Sequence, residues 1–238
     1  MVEWWNHATE VFLAEKFTAE KFKEMVVEAN GRVFLRDGCD ELFEQCAKFE
    51  VPLLIFSAGV GNVIDELVNL KNLNTAQMHV IANRLVFDEK TRLASHYERD
   101  EPIHVFNKQE SLIFGTPYHA QVASRGNVLL MGDSLGDVNM SQGMEHDTVF
   151  RIGFLNVGVG KNVEQFIPEY GNKFDIVLIG DGTLNVALAV FRSIVQGGKE
   201  GATPITCSNI EEIVRHTADT NPTIVQVFAD GAPPPKVE

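Results

Sequence analysis

The chain has 238 residues, of which 45% are hydrophobic and 22% charged, enough for one large domain or a core with an insertion. Asp plus Glu number 33 against 20 Lys plus Arg, a formal net charge of −13. This argues against a nucleic-acid partner, which needs clustered cations, but not against a small phosphorylated ligand held by one or two.

No apolar run reaches the length of a membrane span, and the opening "MVEWWNHATE" has neither the basic nor the apolar region of a signal peptide, so a cytoplasmic location is expected. Residues 2–29 read as helix: Phe22, Met25, Val26 and Ala29 repeat at helical spacing, and Asn30-Gly31 supplies a stop. A second helix is predicted over 38–49. It carries Cys39 and Cys46, which with Cys207 match no metal spacing and read as core thiols of a reducing compartment. "VPLLIF" (51–56) is a short continuous apolar run ending at "SAG", the pattern of a buried parallel strand, and Val60, Val63, Ile64, Leu67 and Val68 then mark a helix.

Strands are predicted next over 79–87 and 103–106, the first followed by a turn at "DEKTR" and the second ending at Asn107-Lys108. "NVLLMGD" (127–133) reads as strand then turn, with a helix starting near Asp137. Strands at 148–156 and 174–182 follow, then a helix through Leu184, Ala187, Leu188, Phe191, Ile194 and Val195. Alternating strands and helices imply an α/β fold with a parallel sheet and helices on both faces. Residues 197–238, rich in Gly and Pro around one short helix near 208–217, read as a partly disordered appendage.

Ligands of open parallel sheets gather at the carboxyl ends of the strands, where three features fall. Ser57-Ala58-Gly59 offers a hydroxyl and a helix start to an anion, though a serine there is also a common helix cap. Lys108 offers one cation to a phosphoryl group, though a lone lysine is more often a solvated surface residue. Asp133 and Asp137 place two carboxylates in one glycine turn, which suits magnesium; Asp133 alone could equally cap the next helix.

In their order, "FSAG", "HVFNK" and "GDSLGD" resemble motifs two, three and four of the haloacid-dehalogenase-like phosphohydrolases. They are most similar to the cytosolic pyrimidine 5'-nucleotidase branch. "MVEWW", "IFSAGVGNVIDELV" and "FDIVLIGDGTLNVALAVFRSIV" extend the resemblance over about residues 1–196. It implies a Rossmann-like core over 50–196 and a helical cap portion over 1–49. It also implies a magnesium-dependent 5'-nucleotidase acting on nucleoside monophosphates, with pyrimidines the expected bases. Carried over by motif, Ser57 and Ala58 would bind the phosphoryl group, Lys108 would offset its charge, Asp133 would bind magnesium, and Asp137 would bind or support it.

The family's Asp-x-Asp-x-Thr/Val motif, which holds the aspartate nucleophile and the general acid/base, does not occur in the chain. Asp88 lacks a second aspartate, Asp37 and Asp40 have the wrong spacing, and Asp181 follows the fourth motif. A family glutamate that contacts the base is also absent. In the family's sheet the first strand is central, so its absence would expose two apolar strand edges. The 238-residue chain expressed alone is therefore expected to be poorly soluble and nearly inactive. Ala8 stands where relatives have a serine and Asn62 where they have an acidic residue. Trp4 and Trp5 either face a base or pack the cap helix. Two further readings remain at this point: an inactive product that binds nucleotide or a full-length partner, and an unrelated doubly wound protein such as a signalling receiver.

Overall fold

A computed structural model of the chain describes residues 2–158, 161–180, 183–197 and 224–227. The expected helix near 208–217 and Asp181 lie outside them. The described residues divide into two compact units. One draws on Met1–Leu35, Phe43–Lys108 and Leu112–Gln121, and the other on Arg36–Leu42, Gln109–Ser111 and Val122–Glu238. Helix α3 (Cys39–Lys48), close to the predicted 38–49, has residues in both.

In the first unit, the single helix expected over 2–29 is two, α1 (Val2–Ala14) and α2 (Ala19–Ala29). Lys16 takes φ +53°, and the Thr18 hydroxyl caps α2 by accepting the Lys21 N–H at 3.1 Å. The linker then bonds to the sheet, with Ala94 N–H donating to the Phe17 carbonyl at 2.8 Å. β1 (Leu53–Val60) runs parallel to β2 (Met78–Asn83), joined by α4 (Gly61–Leu70). β1 continues through Ser57-Ala58-Gly59 rather than ending there. The strand expected over 79–87 breaks at Arg84. Beyond it β3 (Leu85–Phe87) leaves the parallel pair and forms an antiparallel hairpin with β4 (Ala94–Tyr97). Arg84 is held by an ion pair with Asp65, and the Asn62 side chain brackets the Leu85 peptide, donating to its carbonyl and accepting its N–H. A short helix, α5 (Pro117–Val122), was not anticipated from the spacing. Phe22, Val26, Leu85 and Ala94 form the buried core of this layer.

In the second unit, β5 (Asn127–Gly132), β6 (Thr148–Leu155) and β7 (Ile176–Ile179) are parallel, in the order β5-β6-β7. β8 (Ile224–Val227) adds an antiparallel edge to β7, within the stretch read as an appendage. α6 (Ile167–Gly171) and α7 (Asn185–Gly197) complete the described elements. Leu130, Leu155, Ile167, Tyr170, Phe174 and Val177 are buried together. Gly153 is required by Phe174: a Cβ at 153 would lie 2.6 Å from the aromatic ring. Among the described residues β1 pairs only with β2 and β5 only with β6, so each sheet ends on an apolar strand edge.

Candidate functional site

Ser57 sits in a bulge of β1. Phe56 is opposite Ile81 and Val60 is opposite Asn83, so β1 advances four residues while β2 advances two. A bulge takes peptide groups out of the ladder and re-aims side chains. Here the Ser57 Oγ accepts the Gly59 N–H at 3.0 Å, and a hydroxyl so engaged keeps its own proton to donate. Helix α4 is capped at Val60, with no side-chain cap bond, so Ser57 is not its N-cap.

The residues 103–106, expected to be a strand, are an irregular segment ending in a turn. The cause is Asn83. Its side chain takes both backbone groups of Ile103, accepting the N–H at 2.7 Å and donating to the carbonyl at 2.9 Å, where a strand partner would bond. Asn107 then folds the turn, accepting the His104 N–H at 2.6 Å and donating to the Pro102 carbonyl at 3.0 Å. Lys108 emerges from this turn buried, 8% exposed, with its Nζ 5.9 Å from the centre of the Phe56 ring. The surface-lysine reading is thereby excluded.

In the second unit, Asp133 is exposed at the end of β5 and Asp137 is 5% exposed. Asp137 Oδ2 accepts the N–H groups of Asp133 at 3.1 Å and Ser134 at 3.0 Å, while the Ser134 hydroxyl caps a 3-10 turn, Leu135–Ser141, in place of the α-helix expected near Asp137. The capping role falls to Ser134 with Asp137, not to Asp133. The turn closes only because residue 132 is glycine: a Cβ there would lie 2.7 Å from Asp137 Oδ2 and 2.9 Å from its Cγ. The Tyr170 hydroxyl donates to the Asp133 carbonyl at 2.7 Å, and burial, with the nearby carboxylates, pushes that phenol above its ordinary range. Glu110 and His146, bonded at 2.6 Å, tie the residues after Lys108 to the loop after this turn. No spacing in the sequence pointed to that pair.

The predicted residues thus fall into two groups. Ser57, Ala58 and Lys108 belong to the first unit, and Asp133 and Asp137 to the second. The described residues contain no cluster of three or more His, Cys, Asp or Glu able to hold a metal ion. Magnesium does not need one, since it is typically held by one or two carboxylates with water and phosphate oxygens. One exposed carboxylate with a buried one ordering its backbone fits that donor set. Of the aspartates set aside as nucleophiles, Asp88 has a structural role: its carboxylate caps a turn by accepting the Lys90 and Thr91 N–H groups. Trp4 is 63% exposed, edge-on to Trp5.

The family description "Pyrimidine 5'-nucleotidase (UMPH-1)" matches residues 1–195. The 7-methylguanosine phosphate-specific 5'-nucleotidase of Gallus gallus is 37% identical over 196 residues, 82% of this chain and 65% of that protein. The Homo sapiens protein of the same name is 32% identical over 199 residues, 83% of this chain and 64% of its own. A crystal structure of cytosolic 5'-nucleotidase IIIB (cN-IIIB) bound to cytidine superposes with a TM-score of 0.69 at 28% identity. It covers 91% of this chain and 65% of that one, and supports the haloacid-dehalogenase-like α/β fold. The chain spans just under two thirds of the length of these relatives. On the strength of the match across residues 1–195, the chain belongs to the pyrimidine 5'-nucleotidase (UMPH-1) family.

Proposed function

We propose that this chain carries the phosphoryl-binding and magnesium-binding parts of a cytoplasmic 5'-nucleotidase, a phosphoric monoester hydrolase acting on nucleoside 5'-monophosphates. The observation that carries this reading is the β1 bulge, with Ser57 presented in it and Lys108 buried against the preceding Phe56. Phosphoryl transfer depends mainly on positioning and on neutralising charge spread over the equatorial oxygens. The Ser57 hydroxyl donates to one such oxygen, the extended backbone at Ala58 lets it approach closely, and the Lys108 ammonium offsets the charge. Asp133 would hold magnesium, an ion whose chemistry when bound is to neutralise negative charge. Asp137 keeps the Asp133 backbone in place through two amide bonds.

The chain holds no Asp-x-Asp-x-Thr/Val motif. We therefore propose that these 238 residues alone bind a nucleoside monophosphate and turn it over poorly. Both cytidine and 7-methylguanosine 5'-monophosphates should be tried, because the family description names pyrimidines and the relatives named above are 7-methylguanosine phosphate-specific. Titration calorimetry of the folded chain with magnesium and each nucleotide tests the reading. Binding weakened by Lys108→Met and by Asp133→Asn supports it, and no heat from a chain shown to be folded would overturn it.

A further inference from the structure

We infer that Asn83 is a positioning residue that sets Ser57-Ala58 and Lys108 in one geometry, a role that rests on the phosphoryl-binding reading above. Asn83 is 2% exposed. Its amide donates to the Ala58 carbonyl at 2.8 Å and the Ile103 carbonyl at 2.9 Å, and accepts the Ile103 N–H at 2.7 Å. Two acceptors face the nitrogen and one donor faces the oxygen, so the partners themselves fix which way the amide points.

The two strands of bonds lead to different parts of the half-site. Ala58 lies in the bulge, where the register shift takes it out of the β1–β2 ladder, and the Asn83 amide stands in for the missing ladder partner. Ile103 opens the segment that runs through the Asn107 turn to Lys108. These two segments are 45 to 50 residues apart in sequence, and one buried side chain bonds to both. No other side chain does this at that size. Aspartate keeps the acceptor but turns a carboxylate toward two carbonyls, serine has a single donor, and glutamine is one methylene too long for a well-packed site. The consequence is that Lys108 and the bulge act on a phosphate as a unit, and their contributions are coupled through Asn83.

The test is a thermodynamic cycle on the 238-residue chain, titrated with inorganic phosphate in the presence of magnesium. Lys108→Met, Asn83→Ala, Asn83→Asp and the double variants are compared, with circular dichroism confirming that each is folded. The expected result is a loss of phosphate affinity of about tenfold for either Asn83 variant, with Lys108→Met costing less than about threefold more on top of it. Independent, multiplying losses, or an Asn83→Ala chain that is folded and binds phosphate like the wild type, would overturn the coupling while leaving Ser57 and Lys108 as phosphate ligands. A wild-type chain that is folded and does not bind phosphate would overturn the phosphoryl-binding reading and this role with it. If the Asn83 variants do not fold, the wild-type chain decides. The Asn83 side-chain NH2 resonances should shift on phosphate addition, and resonances unmoved at saturating phosphate overturn the inference.

Discussion

Gly132→Ala probes the turn that carries Asp133. The added Cβ would stand 2.7 Å from Asp137 Oδ2 and 2.9 Å from Cγ, against an ordinary contact of 3.4 Å or more. The Asp137 Cβ is closer still, so Asp137 must retreat by roughly 1 Å, and both it and Gly132 are anchored: Gly132 by its pairing with Gly153, Asp137 by the capping box with Ser134. The retreat stretches the two bonds from the Asp133 and Ser134 amides, now 3.1 and 3.0 Å, beyond useful length. Overpacking costs about 1–3 kcal/mol and each hydrogen bond to a charged acceptor contributes about 1.5–3 kcal/mol, terms that overlap because they share one residue. A total near 3 kcal/mol follows, which for a chain of this size lowers Tm by roughly 6–12 °C. Scanning calorimetry measures it, and magnesium binding should weaken in parallel because Asp133 loses its backbone support. Gly31→Ala is the control: nothing lies within 4 Å of its Cβ position, and its effect should be within about 0.5 kcal/mol. A Gly132→Ala protein that melts within about 2 °C of the wild type and binds magnesium unchanged would refute the account of the turn.

Gly153→Ala should be of similar severity in the same assay, since its Cβ meets the buried Phe174 ring at 2.6 Å. Thr18→Ala removes the α2 cap and should cost about 1 kcal/mol in a urea titration, with no effect on phosphate affinity. Burial pushes the Cys46 thiol up to about 11 from an ordinary 9. Below pH 9 it is protonated whether the chain is folded or not; between 9 and 11 only the unfolded chain loses the proton, so stability falls as pH rises across that window. Cys46→Ala should flatten that part of a stability–pH profile. Ser57→Ala should weaken phosphate binding measured by calorimetry without lowering Tm, because the hydroxyl accepts a local bond from the Gly59 N–H.

Most strands and the order of the motifs were legible in the sequence because apolar runs bounded by glycine turns have few other readings. β5, β6 and the helix after β7 fall close to where spacing put them. The misses share a cause. The break between α1 and α2, the break at Arg84 and the irregular segment at 103–106 each go with hydrogen bonds to residues distant in sequence: the Phe17 carbonyl, beside the Thr18 cap, accepts the Ala94 N–H, the Asn62 side chain holds Leu85, and the Asn83 side chain holds Ile103. Hydrophobic periodicity carries no record of such bonds. Ser57, Lys108 and Asp133 could be nominated from motif spacing, but the bulge behind Ser57 and the burial of Lys108 could not, because both depend on residues 20 or more positions away. Asp137 shows the same limit. Its charge suggested a metal ligand, and only the geometry shows its carboxylate receiving two backbone amides.

What the 238-residue chain does with a nucleotide decides its function. One sample of the folded protein, titrated with magnesium and cytidine or 7-methylguanosine 5'-monophosphate and assayed alongside for released phosphate, measures it directly. Magnesium-dependent binding that is lost in Asp133→Asn is expected, with phosphate release close to background. Rapid phosphate release that Asp133→Asn abolishes would contradict it, since it would require a nucleophile that none of the residues assigned above provides.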